Sequence, residues 1–591
     1  MPNDYQPLKD YGVVGDGRTA ALIAGDGSVD WLCLPRFDSP SLFGALLDAR
    51  HGGYWSLRPA GSFTSRAEYL SETNVLATTF ETGEAVARLT DFMPHDSPEP
   101  TLLRKLEGLA GTTIFECHFE PRPDYARRHP HLSATPTGLV GDSLCLALSA
   151  TLFESDITAD SAHYRIEIAP GQPAWFGLAA GDRLPDLRQG ESLLDETLAF
   201  WRAWANRLHY AGPYHADVMR STLALKLLIH EPTGAPLAAA TTSLPEWIGG
   251  ERNWDYRYSW VRDSSYMLGA LARLGYLDET RRYLHWLREV CPAGEPLPVM
   301  FDLDGRRVIP EFTLDQLEGY RASRPVRIGN AASTQRQLDI FGALLDLVWR
   351  YHRRGGDIET DVWRWLAVQV DWVAAHWRDL DSGIWEPRLP PQHHVYSKVM
   401  AWVALARGAE LARDRRDEAA ARWLAEAHTV RVKIEQHGWN PTLGFYPMYF
   451  GADTPDAALL RLSALGFASA DDPRTAATVS AIRRWLGDGP HLQRYRLADG
   501  VRGEEGTFFL VGFWLVEALA RAGERNEAER LFERLRQEHS PLGLYSEMID
   551  PATGDLLGNF PQGFSHLGLI EAALALAAEA ELDPHPTTRQ G

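Results

Sequence analysis

The spacing of apolar residues changes once along the chain and divides it into two parts. From about residue 11 to residue 178, apolar residues recur at alternate positions between turns rich in Gly, Pro, Asn and Asp, as in YWSLRPAGSFTSRAEYL. Alternation with a period of two is typical of strands that bury one face. We therefore predict an antiparallel β-sandwich domain over residues 1–190.

Beyond residue 190 the apolar residues follow helical spacing. The segment SLLDETLAFWRAWANRLHY predicts a linker helix within residues 191–213. Further on, very apolar segments such as TFFLVGFWLVEALARAG alternate with amphipathic ones such as NEAERLFERLRQEHS, a pattern typical of inner helices paired with outer helices. Roughly twelve such segments predict six helical hairpins. We expect them to close into an all-α (α/α)6 barrel over residues 214–582, followed by a C-terminal tail, 583–591.

Charge and composition exclude several classes of partner. The chain has 59 Lys and Arg against 79 Asp and Glu, a net charge of −20, and no basic run, which argues against nucleic acid and anionic membranes. Its four cysteines are far apart without a C-x-x-C motif, so neither a disulfide framework nor a structural zinc site is expected. The N-terminus lacks the pattern of a secretory signal. We expect a cytoplasmic protein without cofactor or metal that binds a small neutral ligand, with homo-oligomerisation left open.

The segment NWDYRYSWVRDSS, residues 253–265, concentrates aromatic and charged side chains just before an inner-type helix. Sugar rings stack on aromatic planes, and an Arg/Asp pair can donate to and accept from neighbouring hydroxyls. Tyr256, Trp260, Arg262 and Asp263 are therefore candidate sugar-binding residues. An Arg–Asp ion pair at the start of a helix, beside core aromatic residues, would produce the same pattern.

Two glutamates precede other inner-type helices and are candidates for acid and base catalysis. Glu386 follows Trp385 in GIWEPR, and a carboxyl group held against Trp tends to stay protonated, as a general acid must. The alternative for Glu386 is an exposed loop glutamate. Loops that enter the inner helices of such a barrel line one funnel. Glu547, in GLYSEMID, would reach this funnel from the side opposite to Glu386 and activate water as the general base. Trp385 is a further candidate contact to the substrate.

Two other segments add candidates. Glu505, with Glu504 in VRGEEGTFF, competes for a catalytic role or a substrate contact, and the alternative is a favourable charge at the N-terminus of a helix. Arg36, Phe37 and Asp38 lie in the turn-rich segment LPRFDSPS. This loop is predicted to close the aglycone side of the barrel, and an ordinary surface turn is the alternative.

At these residues the sequence resembles glycoside hydrolase family 15. YSWVRDSS is similar to the family's W-x-R-D segment, GIWEPR with the following SKVMAWVALARG to its acid segment, and LYSEMID to its base segment. The N-terminal YGVVGDGRTAALIAGDGSVDWLCLPRFDSPS is similar to the bacterial trehalase-like and glucoamylase-like members. The resemblance implies that Trp260, Arg262 and Asp263 hold the glucosyl unit, that Glu386 donates the proton, and that Glu547 activates water.

The function implied by the resemblance is exo-acting, inverting hydrolysis of a short α-glucoside, with α,α-trehalose as the expected substrate. Glucoamylase, glucodextranase or isomaltose-type activity on α-1,4 or α-1,6 oligosaccharides is the alternative, because these motifs recognise only the shared glucosyl unit. Pro387 stands where fungal glucoamylases carry a second acidic residue, which leaves that sugar contact in doubt. A disaccharide phosphorylase and a non-catalytic regulatory or carbohydrate-binding protein are more remote, since both carboxylates are present.

Overall fold

The computed structural model describes residues 5–142, 144–149, 152–292, 294–487 and 489–577. Strands dominate up to residue 180, and helices dominate after residue 190. The predicted division into a sheet-rich N-terminal part and a helical C-terminal part is confirmed. The predicted C-terminal tail, 583–591, lies outside the described residues, as do the last residues of the predicted helical domain.

The N-terminal part contains two antiparallel sheets, each with eight strands in the described residues. The strands are β1 (Tyr11–Gly15), β2 (Ala20–Ala24), β3 (Ser28–Cys33), β4 (Ser41–Phe43), β5 (Tyr54–Pro59), β6 (Thr64–Tyr69), β7 (Leu76–Glu81), β8 (Val86–Phe92), β9 (Thr101–Ala110), β10 (Thr113–Glu120), β11 (Ser133–Thr135), β12 (Gly138–Gly141), β13 (Leu144–Ser149), β14 (Leu152–Ile157), β15 (Ala162–Ile168) and β16 (Ala174–Ala180). The first sheet has the order β1-β2-β3-β5-β10-β15-β14, with β4 paired to β3, and the second has the order β11-β12-β13-β16-β9-β8-β7-β6. A short helix, α1 (Pro123–Ala126), follows β10.

The two sheets share one apolar core, which the period-two pattern produces directly. Phe115, Cys117 and Phe119 of β10 are buried in it, together with Leu89 and Phe176 from the second sheet. The polar residues between those of β10 are only partly buried. Each strand therefore gives one row of side chains to the core and the opposite row to the outer surface.

The C-terminal part consists mainly of helices. They are α2 (Gly190–Ala205), α3 (His215–Leu227), α4 (Val261–Arg273), α5 (Leu277–Val290), α6 (Asp339–Arg353), α7 (Thr360–His376), α8 (Val395–Asp414), α9 (Ala419–His437), α10 (Pro473–Leu486), α11 (Phe509–Arg521), α12 (Arg525–Arg536) and α13 (Gly563–Leu576). Short strands in the connecting loops are β17 (Ile229–His230), β18 (Ala235–Pro236), β19 (Thr242–Pro245), β20 (Asn253–Asp255), β21 (Ser259–Trp260), β22 (Met300–Phe301), β23 (Phe312–Thr313), β24 (Arg327–Ile328), β25 (Thr507–Phe508), β26 (Met548–Ile549) and β27 (Leu556–Leu557).

The most apolar helices pack against one another. Helix α4 contacts α6, α6 contacts α8, and α13 contacts both α11 and α4. A 3-10 turn, Ala457–Arg461, contacts α8 and α11 in the same way. Helices α5, α7, α9 and α12 follow as partners on the outside, with one buried stripe each. In the described part of the chain, no helix combines the length and the apolar character needed to cross a membrane.

Hydrogen bonds join the two parts of the chain. Arg257, in the loop before α4, is fully buried, and it donates to the hydroxyl of Tyr125 at 2.9 Å and to the carbonyl of Ser39 at 3.0 Å. The indole of Trp31 in β3 donates to the carbonyl of Ala240 at 3.0 Å. These donors and acceptors are buried or partly buried, and they hold the N-terminal part directly against the loops that precede α4.

Candidate active site

Glu386 lies in the loop between α7 and α8 and is held by three donors. Its Oε1 accepts hydrogen bonds from the indole of Trp260 at 2.9 Å, a guanidinium nitrogen of Arg262 at 3.1 Å and the amide of Gln337 at 3.0 Å. Its backbone φ of 59° is in the left-handed region, which costs a non-glycine residue about 1–3 kcal/mol. The surroundings of the loop therefore fix both the backbone and the carboxyl group of this residue.

The environment of Glu386 differs from the one expected from its neighbour Trp385. Polar donors surround the carboxyl group, and its side chain is 18% exposed. The indole of Trp385 instead donates to the carboxylate of Asp456 at 2.7 Å. Trp385 thus supports the wall of the site, and donors from α4 and from Gln337 orient the Glu386 carboxyl.

Arg262 and Asp263, in the first turn of α4, form a buried charge cluster beside Glu386. Arg262 lies 3.2 Å from Asp263 and 3.6 Å from Asp339, and it donates to the side-chain oxygen of Gln337 at 2.8 Å. Burial raises the pKa of Asp263 to about 7, the charge of Glu386 adds to the increase, and Arg262 opposes it. One oxygen of Asp263 and both of Asp339 accept no hydrogen bond from the described residues, and the charge of Arg262 is the nearest compensation for these carboxylates.

Glu547 precedes β26 and is buried, with 1% of its surface exposed. Its Oε1 accepts a hydrogen bond from the hydroxyl of Tyr256 at 2.9 Å, and its Oε2 has no partner. Gly558, at φ 70°, lies against this carboxyl group, and a Cβ there would come within 2.5 Å of Oε2. Burial raises the pKa of Glu547 well above its usual range, and the negative charge of Glu246 raises it further.

Two aromatic side chains connect the two glutamates. Trp260 donates to Glu386, and Tyr256 donates to Glu547. The rings of Trp260 and Tyr256 pack edge to face, with centroids 5.6 Å apart. The structure therefore brings together four of the residues predicted from the sequence, with a carboxyl group at each end of the aromatic pair.

A cavity of about 170 Å³ opens beside this pair. This volume is below the roughly 300–1,000 Å³ of sites for drug-sized ligands, so it suits a short ligand. Aromatic, cationic and carboxylate side chains share the wall, which consists of Arg252, Trp254, Tyr256, Asn330, Ala331, Ala332, Gln335, Trp385, Glu386, Pro387, Arg388, Arg494, Tyr495, Asp499 and Val501.

A second group of charges lies beside the cavity, and of its members Glu505 alone was a candidate from the sequence. Arg494 contacts both Glu246, at 2.8 Å, and Glu505. Arg252 and Asp499 form a bidentate pair at 2.7 and 2.8 Å. Glu505, predicted as a possible substrate contact, thus pairs with Arg494 and is not part of the cavity wall. Glu246 and Arg494 are about 250 residues apart and carry no local motif, so no sequence signal linked them.

The loop containing Arg36, Phe37 and Asp38 lies against the helical part, but none of the three residues lines the cavity. Phe37 is 2% exposed within the main core, so its ring has no free face for a sugar. Arg36 pairs with Asp38 at 2.9 Å and with Asp304. Asp38 also accepts a hydrogen bond from the backbone of Leu303. The loop therefore contributes packing and ion pairs between the two parts of the chain.

Two carboxyl groups joined through aromatic side chains beside a small polar cavity are an arrangement that a glycoside hydrolase requires. The chain belongs to the glycosyl hydrolases family 15, whose model matches residues 212–574. A trehalase-like N-terminal domain model matches residues 2–191. The family predicted from the sequence motifs is confirmed.

Trehalases from other organisms are similar in sequence over nearly the whole chain. A trehalase of Mycolicibacterium smegmatis is 39% identical over 99% of this chain and 93% of its own length. A trehalase of Thermoplasma volcanium is 36% identical over 96% of this chain and 93% of its own length. Among solved structures, a bacterial glucoamylase in complex with acarbose has a TM-score of 0.72 at 14% identity, covering 97% of this chain and 94% of that one. At this identity the last comparison shows the fold alone.

Proposed function

We propose that this protein is an inverting, exo-acting trehalase. The observation that supports this most is the connection Glu386–Trp260–Tyr256–Glu547, which places a carboxyl group at each end of an aromatic pair beside a small cavity. The trehalases that match nearly the whole chain suggest the substrate. The size of the cavity, about 170 Å³, agrees with a disaccharide better than with a polymer.

In the proposed reaction, Glu386 is the general acid. Because its three donors all contact Oε1, Oε2 remains available to carry a proton to the glycosidic oxygen. Arg262 and Asp263 bind hydroxyl groups of the non-reducing-end glucosyl ring, Trp260 and Tyr256 border it, and Trp385 supports the wall. Breaking the glycosidic bond then releases the second glucose with that proton.

Glu547 is the general base in this proposal. It takes a proton from a water molecule, whose oxygen attacks the anomeric carbon from the face opposite to the leaving group. The unpartnered Oε2 is the atom assigned to that water. The pKa of Glu547 is raised while Tyr256 is, among the described residues, the one side-chain donor to its buried carboxyl group. A water molecule that donates to Oε2 stabilises the ionised form and therefore lowers this pKa. We expect the two carboxyl groups to be about 6.5–9.5 Å apart, the spacing for an inverting reaction.

The stereochemistry provides a direct test. Inverting hydrolysis of α,α-trehalose gives one α-glucose and one β-glucose for each water consumed, whereas a retaining enzyme releases α-glucose alone. Proton NMR during the first minutes, before mutarotation, should show the two anomers in equal amounts. A product that contains α-glucose alone contradicts the mechanism.

Substrate preference requires a separate measurement. Glucose release should be compared for trehalose, maltose, isomaltose and maltotriose, and we expect trehalose to be hydrolysed fastest. Faster hydrolysis of maltose or isomaltose favours the glucoamylase or isomaltose-type alternative. Release of glucose 1-phosphate when phosphate is supplied favours a phosphorylase, and no release from any sugar favours a binding or regulatory protein.

The roles of the two glutamates can be separated by the leaving group. Glu386→Gln and Glu547→Gln should each lower kcat on trehalose by about 10²–10⁴-fold. α-Glucosyl fluoride needs no protonation of its leaving group, so Glu386→Gln should retain activity on it and Glu547→Gln should not. The reverse result would exchange the two roles.

We also propose the detailed architecture. The shared core of the two sheets supports a β-sandwich over residues 1–190, joined by α2 within 191–213 to the helical domain. Neighbouring inner elements contact one another in a closed ring, in the order α4, α6, α8, the 3-10 turn, α11, α13 and again α4. This order supports an (α/α)6 barrel in which the 3-10 turn replaces one inner helix.

A further inference from the structure

The outer face of the first sheet carries two histidines directly opposite each other. His118 of β10 pairs with His163 of β15 in the antiparallel register. Both side chains point away from the core, because the alternating residues Cys117 and Tyr164 are buried in it. The imidazole rings stack with centroids 4.2 Å apart and an interplanar angle of 27°.

A carboxylate completes this group. Glu116 lies two residues before His118 on the same strand, and therefore on the same face. The ligand atoms of Glu116, His118 and His163 all lie within 4.8 Å of one another. In the described part of the chain, no second group of three such side chains meets this criterion.

The contacts of the two imidazoles leave ligand atoms unused. The Nε2 atom of His163 is inaccessible to solvent and has no hydrogen-bond partner. The Nε2 atom of His118 is 3.8 Å from a Glu116 oxygen, too far for a hydrogen bond. An unpartnered buried nitrogen is unfavourable, and a cation placed between these atoms would satisfy it.

We propose that Glu116, His118 and His163 form a binding site for a divalent transition-metal cation, with Zn²⁺ as the best match. Two imidazole nitrogens and one carboxylate oxygen form a donor set that Zn²⁺ takes with water in the fourth position. Mg²⁺ and Ca²⁺ prefer sites made of oxygen alone. At Zn–N distances of 2.0–2.1 Å, tetrahedral ligand nitrogens are about 3.4 Å apart, so modest side-chain rotation closes the site.

Two neighbouring arginines do not prevent this arrangement. Arg58, opposite Glu116 on β5, pairs with Asp26 at 3.2 Å. Arg165 is 3.8 Å from a Glu116 oxygen, and it also lies 3.6 Å from Glu154 on β14. Glu116 can therefore turn towards a cation while Arg165 keeps a carboxylate partner. The bound cation would connect β10 to β15 by side-chain ligands, in addition to their backbone hydrogen bonds.

Calorimetric titration of zinc into the full chain, stripped with a chelator at about pH 7.5, tests the proposal. We expect one tight zinc site per chain. His118→Ala and His163→Ala should each lower the affinity for zinc by at least about 100-fold, because each removes a ligand. Loss of a residue that only supports a ligand already lowers metal affinity by about 10–100-fold. His131→Ala is the matched control. His131 is an exposed histidine of the same domain, 2.8 Å from Asp142, and its loss should leave binding unchanged.

Folding and function are checked in the same preparations. Each variant should melt like the wild type without metal and should still release glucose from trehalose, because the three ligands are not part of the catalytic cavity. Failure of the proposed hydrolytic activity is thus distinguishable from failure of the metal site. Absence of a tight site in the wild type, unchanged affinity in both histidine variants, or an equal loss in His131→Ala overturns the proposal.

Discussion

The hydroxyl of Tyr256 favours the ionised form of Glu547, and Tyr256→Phe tests this directly. This hydroxyl donates to Oε1 at 2.9 Å, while Oε2 has no partner. The hydrogen bond lowers the pKa of Glu547 against the effect of burial, which raises it. Removing the hydroxyl removes a lowering contribution, so the pKa of Glu547 rises further above its usual range.

The size of the effect follows from the chemistry of the bond. A hydrogen bond to a charged group contributes about 1.5–3 kcal/mol, and one pKa unit corresponds to 1.36 kcal/mol. The loss should therefore raise the pKa of Glu547 by about 1–2 units. A general base must be ionised, so kcat/KM decreases as the pH falls through that pKa. In the variant this acidic limb moves to higher pH. At a given pH on the limb, kcat/KM of the variant should be about 10–100-fold lower than that of the wild type.

The assay is kcat/KM for trehalose from about pH 5 to about pH 10, which reports the ionisation of the free enzyme. Tyr266→Phe is the matched control. It also removes a buried tyrosine hydroxyl, but that hydroxyl contacts Tyr396 at 2.7 Å and no carboxylate. We expect its acidic limb to coincide with that of the wild type. A Tyr256→Phe variant that loses the same factor at every pH, with an unmoved limb, would refute the reasoning.

Three other changes have distinct expected outcomes. Glu246→Gln removes a negative charge that raises the pKa of Glu547, so the acidic limb of kcat/KM should move to lower pH, opposite to Tyr256→Phe. Asp263→Asn removes a carboxylate that we propose binds hydroxyls of the glucosyl ring. It should raise KM for trehalose by about tenfold or more in steady-state kinetics, as expected for a lost hydrogen bond to a charged group. Phe37→Ala should lower the free energy of unfolding by about 3–5 kcal/mol, measured by denaturant titration, and leave the ratio of activity on trehalose to activity on maltodextrin unchanged.

The parts of the site that lie within one short segment could be predicted from the sequence. Tyr256, Trp260, Arg262 and Asp263 occupy one loop and the first turn of the helix that follows, so their spacing alone places them together. Period-two and helical spacing likewise predicted the division between strands and helices, because each pattern reports which face of its own element is buried.

Contacts between distant segments could not be read in this way. The environment expected for Glu386 was wrong because its donors Trp260 and Arg262 are about 125 residues away. The free ring face that the predicted sugar contact of Phe37 requires is missing for the same reason, since packing against the helical part buries this side chain. Local spacing carries no information on partners that only the assembled fold supplies.

The buried guanidinium of Arg257 makes the boundary between the two domains a poor place to divide the polypeptide. Its acceptors include Ser39 and Tyr125, and Tyr256 is its neighbour in the chain. During synthesis the ribosome releases both acceptors before Arg257 emerges. Exchange of the catalytic half alone would keep the ion pair of Arg257 with Asp255 but would place the guanidinium against different acceptors, so both halves must be exchanged together to preserve these hydrogen bonds.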